Sequence, residues 1–405
     1  METKIKQNNK SKINKWMYFC GIRLVVFYTK FRFKFKIDKS EIKKLKGAHL
    51  VLGNHTSSYD FAFFSGGMMP KPLNFVVAYN MFYHNAYSKL FRMYHAIPKH
   101  QFASDFHCIK EIKKNLDSGI NVMLFPEGRI TPDGTTGYIA PSIGKLVKWL
   151  GYPVIIGKTS GGYVSRPKWG KKRSAPVKIK MKQILSKEDI AKSSIEEINN
   201  VIFDCLQYND NVSLIESGKK IKGNALAEGL EKLLYKCPNC GAEFYNKTSG
   251  NELWCSNCLN RVVYNKNSLI TAKGGDKVFD RVDLWFDFQK QAIKKEIENS
   301  QFEMKDQVNV SITNDETHLF EIVGQGELRL SFVGLNYTGE CCGKSVELTF
   351  PIETMPTVPY IIGKSLDTND GVKVYRFSFL NRMPSVKYVL AVEELYRQSV
   401  ETKAK

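Results

Sequence analysis

Over the first two hundred positions, apolar residues recur in short blocks at two different periods. Gly47-Ala-His-Leu-Val-Leu-Gly53, Phe75-Val-Val-Ala78, Asn121-Val-Met-Leu-Phe125 and Tyr152-Pro-Val-Ile-Ile156 are short apolar runs with polar or glycine punctuation, the mark of buried strands. Between them Phe106, Ile109, Ile112 and Leu116 fall at helical spacing within 104–118, and Gly119 ends that helix. Residues 142–150 and 193–207 also read as helices. Strands alternating with helices predict an α/β domain with a mostly parallel sheet, whose sites form at the carboxyl ends of strands. Phe31-Arg-Phe-Lys-Phe-Lys-Ile37 alternates strictly and predicts a strand with Phe31, Phe33 and Phe35 facing the core.

The second half is patterned differently. A largely polar stretch, 211–234, reads as a linker. A segment with paired cysteines follows (235–265), then a helix over 282–298. Short strands are predicted near 307–312, 327–332, 345–350, 359–362 and 372–379, with an amphipathic helix of about 384–399 at the end. The expected organisation is an N-terminal basic and apolar segment (1–36), an α/β domain (37–210), the linker, a metal ribbon (235–265) and an α+β, β-rich domain with a C-terminal helix (266–405). In element order alone, that last part resembles a pleckstrin-homology-like lipid-sensing module.

Composition narrows the partners. Hydrophobic residues make up 43% of the 405, enough for a real core and against global disorder. Sixty Lys and Arg against forty Asp and Glu give +20, a field that favours an anionic partner. Residues 1–46 alone hold fourteen basic residues against three acidic ones, +11. An apolar run from Trp16 to Tyr28 sits within them, interrupted by Arg23. A spanning helix needs ~20 apolar residues, so this run is too short, and no small-residue cleavage site follows it. It predicts a helix lying in the interface of an anionic membrane, with Trp16, Phe19 and Tyr28 as anchors. The expected location is peripheral, on the cytoplasmic face of the cell membrane.

Four of the nine cysteines make a regular pattern: Cys237-Pro-Asn-Cys240 and Cys255-Ser-Asn-Cys258, with fourteen residues between the pairs. Two C-x2-C knuckles supply four thiolates to one tetrahedral ion, which predicts a structural zinc ribbon in a reducing compartment; iron is the alternative ion. Four cysteines close the coordination shell, which excludes a catalytic role for the ion. Glu243 and Glu252 offset Lys236, Lys247 and Arg261, so the ribbon is not basic enough to favour nucleic acid.

The chemistry concentrates in His55-Thr-Ser-Ser-Tyr-Asp60 and Phe125-Pro-Glu-Gly-Arg129, both after predicted strands. A histidine can take a proton from a hydroxyl at neutral pH, and a carboxylate on its other ring nitrogen fixes the tautomer. With no G-x-S-x-G nucleophile elbow in the chain, the acceptor hydroxyl itself takes the place of a catalytic serine. It would attack a thioester carbonyl directly while His55 removes its proton.

In this order and spacing the two motifs resemble those of the glycerolipid acyltransferase family, of the 1-acylglycerol-3-phosphate acyltransferase type, over roughly residues 20–205. His55 and Asp60 match its H-x4-D motif, Phe125 to Gly128 its F-P-E-G motif, and Tyr152-Pro-Val-Ile155 its late apolar-proline segment. The resemblance implies acyl-CoA or acyl-carrier protein as donor and a lysophospholipid or glycerol-phosphate-like acceptor. It implies His55 as base, Asp60 as its orienting group, and Glu127, Gly128, Arg129 and Lys99 on the acceptor side. Gln101 stands where the family carries a phosphate-holding arginine, and Arg129 comes one residue earlier than the family's second arginine, so the acceptor need not be a simple phosphate monoester. A second reading, drawn from the ribbon and the net charge, is a regulatory or nucleic-acid-binding protein on a catalytically retired scaffold.

Overall fold

The computed structural model describes residues 15–83, 88–100, 105–171, 173–273, 278–298, 301–314, 316–371 and 373–404, with side chains over 20–401. Seven strands build the first sheet: β1 (Lys36–Asp38), β2 (Leu50–Gly53), β3 (Leu73–Ala78), β4 (Ile97–Lys99), β5 (Asn121–Leu124), β6 (Val154–Ser160) and β7 (Lys178–Leu185). Their order is β1-β7-β6-β2-β5-β3-β4. Every neighbouring pair is parallel except β6 with β7. The α/β domain with a mostly parallel sheet is therefore present.

Nine helices accompany these strands among the described residues: α1 (Lys15–Phe33), α2 (Asp60–Met68), α3 (Ser88–Met93), α4 (Phe106–Asp117), α5 (Ser142–Leu150), α6 (Gly162–Ser165), α7 (Lys187–Lys192), α8 (Ile195–Leu206) and α9 (Asp210–Glu216). Both sheet faces are covered, so the central strands read as unbroken apolar runs. Leu50, Leu52, Val122 and Val154 turn to α4, α5 and α8. The alternate positions Val51, Met123 and Ile155 turn to Phe63 and Phe64 of α2. Phe64 lies over two paired glycines: a Cβ on Gly53 would come within 2.2 Å of its ring, and one on Gly157 within 2.3 Å. That close approach seats α2, and with it Asp60, against the end of β2.

Two expectations are corrected. Of the strand predicted over 31–37, the first three residues are the end of α1, and only Lys36–Asp38 forms a strand. Phe33 and Phe35 are buried but Phe31 is 88% exposed. The reason is period: Ile22, Val26, Thr29 and Phe33 make a buried helical stripe that carries the chain past Phe31. The stretch 211–234 is no linker. Leu214, Ile221, Leu226, Ala227, Leu230, Leu233 and Leu234 are all buried, so its apolar positions are packed between the polar ones.

The cysteine segment forms β8 (Asn246–Ser249), β9 (Glu252–Cys255), β10 (Arg261–Tyr264) and β11 (Ile270–Ala272), an antiparallel sheet in the order β11-β10-β9-β8. α10 (Val282–Ile297) leads into β12 (Met304–Asn314), β13 (Leu319–Ser331), β14 (Gly334–Cys341), β15 (Lys344–Pro351), β16 (Tyr360–Ile361), β17 (Ser365–Asn369) and β18 (Val374–Phe379), and α11 (Ser385–Ala404) follows. These strands make one antiparallel sheet, β15-β14-β13-β12-β18-β17-β16. One hydrophobic core runs from Tyr163 and Trp169 through Leu234 and Tyr264 to Trp285, Leu328 and Tyr388. Ribbon and C-terminal sheet are thus not separate bodies. A ring of alternating charge reinforces the junction: Lys236 bonds Glu243 at 2.9 Å and Glu296 at 3.1 Å, and Lys387 bonds the same two carboxylates at 2.7 and 2.8 Å.

Candidate active site

His55 lies in the loop between β2 and α2, at the carboxyl end of the sheet. Its Nδ1 is 2.8 Å from Asp60 Oδ2, while 21% of its side chain remains exposed against 1% for Asp60. Asp60 opens α2, where the helix N-terminus favours its negative charge. Its Oδ2 also accepts from the Thr56 N–H at 2.6 Å and the Ser57 N–H at 3.0 Å, and its Oδ1 from the Thr56 hydroxyl at 2.9 Å. One carboxylate therefore folds the whole loop and holds the imidazole. Nδ1 faces Asp60, which leaves Nε2 as the free nitrogen. The ring plane is fixed from the side by Phe125, stacked at 4.0 Å and 11°.

The second motif supports the first from below. Glu127 accepts from the His55 N–H at 2.9 Å and from the Gly137 N–H at 2.8 Å. Gly128 sits at φ 67, the left-handed conformation that glycine adopts without a Cβ clash, and this turns the chain at the strand end. Burial pushes the Glu127 carboxyl up to about 8, against the pull of its two N–H donors. The folded state then holds a proton that the unfolded chain, near 4.5, releases. Stability from this group is complete below about pH 4.5 and is lost as the pH rises to about 8. Relative to the Glu127→Gln variant, the wild-type melting temperature should fall across that window. A constant difference from pH 4.5 to 8 would contradict this.

Arg129 points away from the dyad. It bonds the Thr357 hydroxyl at 2.8 Å and Glu393 of α11 at 2.6 Å, beneath the Tyr360 ring. A second contact crosses the same junction: Asn80 donates to Asp367 at 2.9 Å, and Asp367 is itself gripped by Arg376 through two bonds of 2.8 Å. Lys99 ends β4, the edge strand beyond β3, with its charge acting on His100 and Cys108. Gln101 lies outside the described residues.

Some residues at the site gave no motif-level signal. Asn54 is fully buried and clamps β6, donating to the Thr159 carbonyl and accepting from the Thr159 N–H, both at 2.8 Å. Asp210 accepts from the N–H groups of Gly161, Tyr163 and Val164. The Arg166 guanidinium lies 5.8 Å from the centre of the Tyr59 ring, one residue before Asp60, and Lys168 is within electrostatic reach of Asp60. Tyr28 of α1 stacks on the same Tyr59 ring at 6.5 Å.

The four paired cysteines converge. All four Sγ atoms lie within 4.8 Å of one another, with Cys237 and Cys258 at 3.7 Å and Cys240 and Cys255 at 3.8 Å. A tetrahedral ion with metal–sulfur bonds of about 2.3 Å needs an S–S edge of about 3.8 Å, so the set fits such an ion. The knuckles mirror one another: Asn239 donates to Cys258 Sγ and Asn257 to Cys240 Sγ, both at 3.6 Å. Donors on thiolates of this kind orient and stabilise a metal's ligands.

The family model described as Acyltransferase matches residues 34–157, a stretch that contains His55, Asp60, Lys99, Glu127, Gly128 and Arg129. Over that stretch the chain is similar to acyltransferases. No curated protein matches the chain. Among solved structures, the 1-acyl-sn-glycerophosphate (LPA) acyltransferase PlsC of Thermotoga maritima is similar at 17% identity. That similarity covers 48% of this chain and 80% of that one, with a TM-score of 0.39.

Proposed function

We propose that the protein transfers a fatty acyl group from a thioester donor, acyl-CoA or acyl-carrier protein, to the hydroxyl of a lysophospholipid or glycerol-phosphate-like acceptor. The observation that carries this reading is the His55–Asp60 contact on a loop that Glu127 braces. His55 Nε2 takes the acceptor's proton as its oxygen attacks the thioester carbonyl. The C–S bond then breaks, and the leaving thiolate receives the proton from the imidazolium. Glu127 and Gly128 position the loop on the acceptor side. Glu393 already answers the charge of Arg129, so Lys99, Arg166 and Lys168 are the cations assigned to an anionic acceptor. A structural zinc in the four-cysteine site belongs to the same reading, and the order of the C-terminal strands with α11 is compatible with a pleckstrin-homology-like module.

The surface at which this happens is a membrane, met peripherally through α1. No helix among the described residues is long and apolar enough to cross a bilayer. Yet α1 turns a second apolar stripe outward: Leu24 is 72% exposed, Phe27 73%, Tyr28 49% and Phe31 88%. Exposed apolar residues at i, i+3, i+4 and i+7, flanked by Arg23, Lys30 and Arg32, suit an interface helix. Trp16 and Phe19 lie in α1, but their side chains are outside the described set, as are residues 1–14. The Tyr28–Tyr59 contact supports placing that stripe beside the His55 loop.

The test offers acyl-CoA and acyl-carrier protein with acceptors carried in anionic vesicles, and follows thiol release. Transfer to at least one acceptor is expected. A triple variant, Leu24→Ser with Phe27→Ser and Phe31→Ser, should stop sedimenting with the vesicles. Absence of transfer to every lysophospholipid and glycerol-phosphate acceptor would overturn the acyltransferase reading. Undiminished sedimentation of the variant would remove α1 as the membrane contact.

A further inference from the structure

The antiparallel pair β6–β7 carries lysines on one face. The register sets Lys158 opposite Lys180 and Ser160 opposite Lys178, with Lys182 opposite Ile156. Together Lys158, Lys178, Lys180 and Lys182 border a cavity of about 320 Å³ between these strands and the segment from Cys205 to Ser213; Asp210 also lines it, with its carboxylate taken up by the N–H groups of Gly161, Tyr163 and Val164. Like charges directly across a strand pair repel, so such a set is costly without an anion between its members. Two carboxylates stand on the outer side of the set: Glu41 reaches Lys180 at 3.3 Å, and Asp38 of β1, opposite Lys180 in register, is within electrostatic reach of Lys178 and Lys180. Among the described residues, Lys158, Lys178 and Lys182 have no ion-pair partner.

The cavity is concave and lies within the range of small-molecule sites. Part of its floor is apolar, formed by Ile156 and Ile184. Its wall at Thr159 is the residue that Asn54 clamps by two hydrogen bonds, and His55 follows Asn54 directly. Ammonium groups on flexible stems suit several phosphates as point charges, whereas an isolated planar carboxylate would favour the arginine fork.

We infer that this lysine-lined cavity binds the multiply phosphorylated nucleotide end of a coenzyme A thioester, next to the catalytic loop. The inference rests on the acyl-transfer reading and deepens it by naming the donor. The apolar floor takes the flat base, the lysines take the phosphates, and the acyl-bearing arm leads toward the His55 loop. An acidic carrier protein would need an open basic surface in place of a recess.

The experiment titrates the full-length protein with coenzyme A, with 3′,5′-ADP and with pantetheine, and repeats each titration with a double variant, Lys158→Gln with Lys182→Gln. Both side chains are exposed, so folding should be retained, and a thermal melt checks it. Coenzyme A and 3′,5′-ADP should bind in a salt-sensitive manner, and pantetheine should not. The double variant should weaken both phosphorylated ligands on the order of tenfold or more, raising KM for acyl-CoA with kcat little changed. Replacing the same lysines by arginine should restore most of the affinity. Coenzyme A binding that ignores the double variant would overturn the inference, as would lysine-dependent binding of acyl-carrier protein with none of coenzyme A. If acyl-CoA is used with a KM indifferent to these lysines, the site fails and acyl transfer stands. If 3′,5′-ADP binds through the lysines yet no thioester is consumed, the anion site stands and acyl transfer fails.

Discussion

Replacing His55 with alanine should lower acyl transfer by about 10²–10⁴-fold, the range for loss of a general base, while the melting temperature changes little. The side chain is partly exposed, and alanine removes its hydrogen bond to Asp60 and its stack on Phe125 but leaves the other donors to Asp60 in place, so the loop keeps its fold. Asp60→Asn should behave differently. The amide can keep its oxygen on the two backbone N–H groups and the imidazole only with its NH2 turned to the Thr56 hydroxyl, and it brings no negative charge to the helix N-terminus or to the imidazolium. That variant should lose activity and stability together. The pair of outcomes separates chemistry from loop folding. Thiol release gives the first reading and a thermal melt the second. Transfer by His55→Ala at wild-type rate would remove the histidine from the mechanism.

The second large effect is expected at the cysteines. Metal removal by a chelator, or Cys255→Ser, should unfold the ribbon and lower the melting temperature by on the order of 10 °C or more, because binding energy at a four-thiolate site is folding energy. The damage should spread. Leu253, Val262 and Tyr264 share one core with Trp285 and Tyr388, and Lys236 next to Cys237 belongs to the charge ring that reaches α10 and α11. Hydrogen exchange should therefore rise over both the ribbon and α10. Elemental analysis should find one zinc and no iron per chain. A chain that melts identically with and without chelator would rule out the structural metal.

Legibility in the sequence followed the length and purity of the pattern. The helices over 142–150 and 282–298 were readable because their apolar residues recur at helical spacing, and α5 (Ser142–Leu150) and α10 (Val282–Ile297) coincide with them almost residue for residue. The dyad was readable because both partners lie within one short loop. β7 has no counterpart among the strands expected from the sequence, although Lys178-Ile-Lys-Met-Lys182 alternates and Ile179 and Met181 are buried. The 31–37 segment failed because seven residues can satisfy a strand period while ending a helix. The polar clamps Asn54 and Asp210 could not be found in sequence, because the backbone groups they satisfy belong to distant segments. The partner of Arg129 was equally out of reach, since Glu393 is brought to it only by the folding of the tail.

That last contact sets an order of events in time. Arg129 and Thr357 are 228 residues apart along the chain. During synthesis at about 5–20 residues per second, the motif around Glu127 exists for roughly 10–50 seconds before Thr357 is made. The α/β half can collapse in that interval, since its sheet closes within its own sequence. Its arginine, however, stays in water until the final helix docks. Completion of the molecule is therefore registered at the strand end that carries Glu127, where Arg129 meets Thr357 and Glu393 only once the tail has folded.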